Sequence, residues 1–126
     1  MRTGKYDLED RLIKYAIETL TLVEHLPAIS SGKHIGQQLL RSGTAPAALY
    51  GEAQSAESRK DFIHKMKIAL KELRESHVWL KIVKLKPLVK DSMSIDFLLK
   101  ETNELISIFV PSINTAAKNI LNDKKS

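Results

Sequence analysis

The sequence contains no cysteine and is poor in glycine, proline and aromatic residues. Without cysteine the chain can form neither a disulfide nor a thiolate metal site. Five glycines and four prolines leave few helix-breaking positions, and no segment has the period-two alternation expected of strands. No apolar run approaches the ~20 residues of a membrane span, and the amino-terminal residues are too polar for a signal peptide. We therefore expect a soluble, cytoplasmic, all-α protein without membrane partners.

Four long segments carry apolar residues at three- and four-residue spacing, which is typical of amphipathic helices. Pro27 and the following Ser30-Ser31-Gly32 are expected to end the first helix and open a loop, and Ser58 is the predicted N-cap of the third helix. Pro46 and Pro111 predict kinks without a complete break in the second and fourth helices. Such a pattern predicts a single domain, residues 1–126, folded as an antiparallel up-down-up-down four-helix bundle. The predicted helices cover residues 7–26, 33–56, 58–84 and 94–122.

Positive charge is concentrated in one third of the chain. Residues 58–90 hold ten Lys and Arg against three Asp and Glu, whereas the flanking thirds each carry a net charge of −1. A localised basic patch favours an anionic partner such as RNA or a ribonucleoprotein, although a solvated helix face gives the same pattern. We define the basic strip as the third-helix residues that recur every seven positions, with one neighbour at their edge: Lys60, Lys67, Arg74 and Lys81, with Lys71. Lys84, Lys86 and Lys90 extend it.

The third helix also has two apolar sides. A seam of Phe62, Met66, Ala69, Leu73 and Leu80 is expected to face the core. On the far side lie Ile68, Trp79 and Ile82, which are covered either within the bundle or by a neighbouring subunit. Two carboxylates share this far side, and a partly buried charge requires a partner. Glu72 and Glu75 are therefore expected to pair with Arg41 or Lys71, inside one chain or across a subunit boundary.

Motifs for catalysis or cofactor binding are missing. Di-iron bundles require two Glu-x-x-His sequences, and here Asp61-x-x-His64 is the nearest approach, in a single copy. Glu72 and Glu75 have the i, i+3 spacing of an acid/base pair, but no catalytic triad or glycine-rich phosphate loop accompanies them. We expect no metal, no cofactor, no small-molecule substrate and no enzymatic activity.

One stretch of the chain, Gln37–Leu80, resembles the four-helix-bundle family of 23S rRNA intervening-sequence proteins. The matching motifs are RSGT at 41–44, Ala48, EA at 52–53, Ser58, DFIHK at 61–65, IALKE at 68–72 and WL at 79–80. Ala45 and Leu49 replace a serine and an asparagine that are usual in the family, so a polar role at these two positions is not expected here. Pro46 also departs from the family pattern.

This resemblance implies a closed four-helix bundle that assembles into a homopentameric ring. It also implies an association with RNA, because family members are encoded within rRNA inserts. A related branch serves as an accessory protein to reverse transcriptases of diversity-generating retroelements. Two functions are therefore expected as alternatives: a non-enzymatic, oligomeric RNA-binding bundle, or a protein–protein adaptor for a polymerase or toxin-like partner.

Overall fold

A computed structural model describes the backbone of residues 5–125 and the side chains of residues 8–123. The described residues form four α-helices and no strand, which confirms the all-α prediction. Residues 1–4 and Ser126 of the predicted domain lie outside this range. Within it, no helix has both the length and the apolar character needed to cross a membrane. The helices are α1 (Lys5–Glu24), α2 (Ser30–Gln54), α3 (Arg59–Leu85) and α4 (Ser92–Lys125).

The connection between α1 and α2 agrees with the prediction at Pro27 and differs from it at the residues that follow. Ser30, Ser31 and Gly32 lie inside α2, so the predicted loop at these residues is wrong. The chain turns at residues 25–29 instead, and Ile29 takes the extended backbone conformation that precedes the helix. Gly32 permits this tight entry, because a Cβ atom there would lie 1.9 Å from the carbonyl oxygen of Pro27.

Two other helix signals agree with the structure, the cap of α3 and the continuity of the two helices that contain proline. Ser58 caps α3, and its Oγ accepts a hydrogen bond of 3.1 Å from the backbone N–H of Asp61. Helix α2 continues through Pro46 and α4 continues through Pro111, so neither proline breaks its helix, as predicted. Each proline removes one backbone donor, but packing of the amphipathic faces maintains the helix on both sides.

The four helices pack around one core, each against two neighbours: α1 against α2, α2 against α3, α3 against α4, and α4 against α1. No Cα of α1 lies within 8 Å of a Cα of α3 in the described chain. These two helices therefore occupy opposite corners of the bundle. Contacts between α2 and α3 run in opposite order along the chain, since Glu52 pairs with Lys65 and Ser42 with Ser76. The core includes Leu12, Leu39, Met66, Leu73, Leu80, Leu98, Leu105 and Phe109, all nearly inaccessible to solvent.

A cluster of buried polar side chains crosses the middle of this core. The Tyr15 hydroxyl lies 2.7 Å from Thr102 Oγ1, and Ser76 Oγ donates to Ser42 Oγ over 2.7 Å. Thr19 donates to the carbonyl of Tyr15 at 2.8 Å. Every helix contributes a member to the cluster, and its hydrogen bonds fix the register of α1 against α4 and of α2 against α3.

Candidate nucleic-acid interface

The motif residues at 41–43 lie where α2 contacts its two neighbours, and Arg41 connects α2 to α3. Its guanidinium donates to Glu72 Oε1 at 2.5 Å and also to Glu75, and it reaches Gln38 on its own helix at 3.2 Å. Hydrogen bonding to Glu75 is the main cause that raises the pKa of Arg41, so the guanidinium stays charged at physiological pH. The partnership predicted for the two carboxylates thus forms within one chain. The Glu72 side chain is 16% exposed and the Arg41 side chain is 49% exposed, so the pair lies at the edge of the contact between α2 and α3.

Arg41→Gln should lower the melting temperature modestly, by no more than about 5 °C, because partly exposed ion pairs contribute little stability. Thermal unfolding followed by circular dichroism measures the change. Glu72→Gln should have a similar effect, and the double variant should lose less than the sum of the two single losses. Unchanged melting and assembly in both single variants would contradict a structural role for the pair.

The next two motif residues bring α1, α2 and α3 together. Ser42 is fully buried and bonds to Ser76 of α3. Gly43 faces α1, where an added Cβ would lie 2.4 Å from Thr19 Cγ2 and 2.9 Å from its Cβ and Oγ1. The Arg-Ser-Gly sequence therefore has a physical explanation: one ion pair, one buried hydrogen bond and one close helix approach. Its role in this chain is packing.

The basic strip runs along the outward face of α3. Its five members, Lys60, Lys67, Lys71, Arg74 and Lys81, are all exposed. Among the described residues none of them forms an ion pair. The three acidic residues of α3 lie on another side of the helix, and two of them are bound by Arg41. The strip is therefore a row of uncompensated positive charge about 30 Å long.

Lys84 differs from the other predicted strip residues. Its ammonium forms an ion pair of 2.7 Å with Asp96 of α4, so part of its charge is already compensated. His77 lies nearby on α3, and burial together with the charge of Lys81 lowers its pKa. A neutral His77 adds no positive charge to the strip at pH 7.

The second apolar face of α3 is only partly covered within the chain. Trp79 packs against the core, and its ring meets His34 of α2 edge-on at a centroid distance of 5.9 Å. Ile68 is half-buried, whereas Ile82 is exposed. The indole Nε1 is buried without a hydrogen-bond partner in the described residues. The bundle itself therefore accounts for Trp79, and Ile82 remains open on the outward side.

An exposed apolar row on α1 was missed by the sequence analysis. Ile13, Ile17 and Leu20 are exposed although α1 packs firmly through Leu12 and Tyr15. Three- and four-residue spacing occurs on both sides of this helix, so spacing alone did not separate the outward row from the buried one. The signal that could have identified it is the i, i+4, i+7 spacing of Ile13, Ile17 and Leu20 on the side of α1 opposite Leu12 and Tyr15.

Other sites offer little chemistry. The described residues include no group of three His, Asp or Glu side chains arranged to hold a metal ion. A cleft of about 420 Å³ lies between the end of α1 and the α3–α4 connection. Its walls are largely apolar, and Asp91 and His25 at its rim are exposed. The basic strip is the site with the clearest chemical character.

Comparison with known proteins agrees with this architecture. The family model of the 23S rRNA-intervening sequence protein matches residues 6–110. The chain belongs to this family. A solved structure from Bacteroides thetaiotaomicron VPI-5482, described as a protein of unknown function from the S23 ribosomal protein family, superposes with a TM-score of 0.76 at 28% identity. The match covers 83% of this chain and 96% of that one. No curated protein matches the chain significantly.

Proposed function

We propose that this protein is a non-enzymatic, cytoplasmic, antiparallel four-helix bundle that assembles into a homo-oligomeric ring and binds RNA. The observation that carries the proposal is the row of five exposed, unpaired cations along α3. Phosphates contacted by lysine or arginine release condensed counterions, and this drives association. Copies of the strip in a ring would act together on one RNA.

Binding is expected to depend little on base sequence. Lysines dominate the strip, and the one tryptophan of α3 packs against His34 and the core, so it offers no open ring face for base stacking. The membership in the intervening-sequence family supports RNA as the polyanion. The adaptor alternative, with a reverse transcriptase or another protein as partner, does not require the five exposed cations.

Lys60→Glu combined with Lys67→Glu should weaken RNA binding at least tenfold near 100 mM salt. The slope of log affinity against log salt concentration should become less steep by about two. Both lysines lie in the amino-terminal half of α3 and form no ion pair. Fluorescence anisotropy with a mixed-sequence RNA oligonucleotide over a salt series measures both effects.

The matched control is Lys100→Glu with Lys118→Glu, which makes the same charge change at exposed positions of α4. This control should lose several-fold less affinity than the α3 variant. Equal losses would mean that only net charge matters. Binding that is absent, or indifferent to salt, in the unmodified protein would overturn the RNA proposal and favour the adaptor function.

A further inference from the structure

Two outward-facing apolar triads have the same spacing. The α1 triad is Ile13, Ile17 and Leu20, and the α3 triad is Val78, Ile82 and Leu85, each at positions i, i+4 and i+7. These six side chains are between 39% and 81% exposed, and they make up more than half of the large apolar side chains that the described chain exposes. Each triad forms a ridge about 10 Å long. Apolar side chains concentrated in this way mark a contact surface.

One copy of the chain cannot bury one triad against the other. Helices α1 and α3 stand at opposite corners of the bundle, and each triad points away from the core. On a helical wheel the α1 triad is centred about 140° from the buried residues Leu8, Leu12 and Tyr15. The two ridges therefore face in different directions and can meet only between separate molecules.

The charges beside the two triads are complementary. Glu9 and Glu24 lie one turn before and one turn after the α1 triad, within about 80° of it on the wheel. Both are exposed, and no basic side chain of the described residues forms an ion pair with either. Beside the α3 triad, Arg74 and Lys81 are likewise exposed and without an ion pair. Opposite charges around an apolar contact favour pairing of unlike faces, and like charges oppose pairing of two α1 or two α3 faces.

We propose that the α1 triad of one copy docks on the α3 triad of the next copy, with Glu9 and Glu24 facing the basic residues that flank the α3 triad. This rests on the proposed oligomer and names the two faces that form it. Because the contact joins two different surfaces, it is heterologous, and repetition of such a contact closes into a ring when the rotation between copies permits.

The proposal divides the basic strip into two parts. Arg74 and Lys81 lie at the edge of the contact between copies. Lys60, Lys67 and Lys71 remain on the open amino-terminal half of α3, where each copy would present them to RNA. Variants of the two halves therefore separate assembly from RNA binding.

Ile17→Glu and Ile82→Glu should each convert the assembled protein to a species with the 14.2 kDa mass of one chain in sedimentation equilibrium. Each variant places a charge at the centre of one triad and leaves the other triad intact. When the two variants are mixed in equal amounts, the intact α1 face of the Ile82→Glu chain should dock on the intact α3 face of the Ile17→Glu chain. The mixture should stop at a one-to-one pair, because both remaining faces are blocked.

Met93→Glu and Leu121→Glu are the matched controls, since both introduce a charge at exposed apolar positions of α4 and should leave assembly unchanged. If either triad variant loses helicity by circular dichroism, Ile17→Ser and Ile82→Ser replace them. Single variants that stay assembled, or a mixture that stays entirely monomeric, would overturn the pairing of α1 with α3. A monomeric unmodified protein would overturn the oligomer itself. RNA binding through Lys60 and Lys67 is tested separately, by fluorescence anisotropy.

Discussion

Gly43→Ala should lower the free energy of unfolding by about 2 kcal/mol, because an added Cβ would overlap a fully buried side chain. The new atom would lie 2.4 Å from Thr19 Cγ2, well inside van der Waals contact. Thr19 cannot rotate away freely, since its Oγ1 donates to the carbonyl of Tyr15 at 2.8 Å. Alanine improves helix propensity by about 1 kcal/mol, which offsets only part of the clash. Urea unfolding of the two proteins measures the difference.

Thr19→Ala in the same chain removes the atom nearest to the added Cβ, Cγ2, together with Oγ1, and leaves the Thr19 Cβ at 2.9 Å, so the double variant should recover part of the loss. Gly51→Ala is the matched control, because nothing lies within 4 Å of a Cβ built there, and it should stabilise the protein slightly. A Gly43→Ala protein as stable as its parent would mean that α1 and α2 are farther apart than this packing requires.

The bundle could be predicted from the sequence because its cues are local. Helix periodicity, the Ser58 cap and the tolerance of Pro46 and Pro111 depend on residues within a few turns. The loop predicted at Ser30-Ser31-Gly32 was wrong because the cue that decides it is not local. Its composition is typical of a loop, but the close approach of Gly32 to Pro27 is a contact between two segments, and local composition does not register it.

The residues of the basic strip could be predicted from the sequence, but the ion-pair partners of the charged residues around it could not. The seven-residue recurrence of cations on α3 predicted an exposed strip, and all five residues of the basic strip are exposed. The partner of Lys84 was not predictable, because Asp96 approaches from α4. Likewise, the sequence left Arg41 and Lys71 as equal partners for Glu72, and only the packing of α2 on α3 selects Arg41.

The second apolar face of α3 was also predicted only in part. The periodicity grouped Trp79 with Ile82, although 60° separates them on the wheel. In the fold that angle is enough for α2 to reach Trp79 through His34 while Ile82 stays outside. What the sequence treated as one face is therefore two surfaces, one used for internal packing and the other open.

Thr102→Val should cost more stability than Tyr15→Phe, although both remove the same hydrogen bond. Thr102 Oγ1 donates to the carbonyl of Leu98 at 2.6 Å, so its single proton is committed and Tyr15 must donate to Thr102. Thr102→Val leaves the buried phenol with Ser76 alone beside it and also removes the bond to Leu98, at a cost of about 1–3 kcal/mol. Tyr15→Phe leaves Thr102 with its bond to Leu98 and should cost about 1 kcal/mol. Chemical unfolding of both variants tests the order.

The double variant Tyr15→Phe/Thr102→Val removes donor and acceptor together and should be more stable than Thr102→Val alone. Burial is also the main cause that raises the pKa of Tyr15. The protonated phenol is therefore favoured in the folded state, so stability should be fully present below the unfolded pKa near 10 and decline as pH rises above it. Tyr15→Phe should reduce that alkaline loss, and Tyr50, whose pKa burial also raises, and Lys65, whose pKa is raised by its hydrogen bond to Glu52, contribute to the remainder. A Thr102→Val protein more stable than Tyr15→Phe would contradict the assigned direction of the hydrogen bond at the centre of the bundle. An identical alkaline decline in Tyr15→Phe would contradict the raised pKa of the buried phenol.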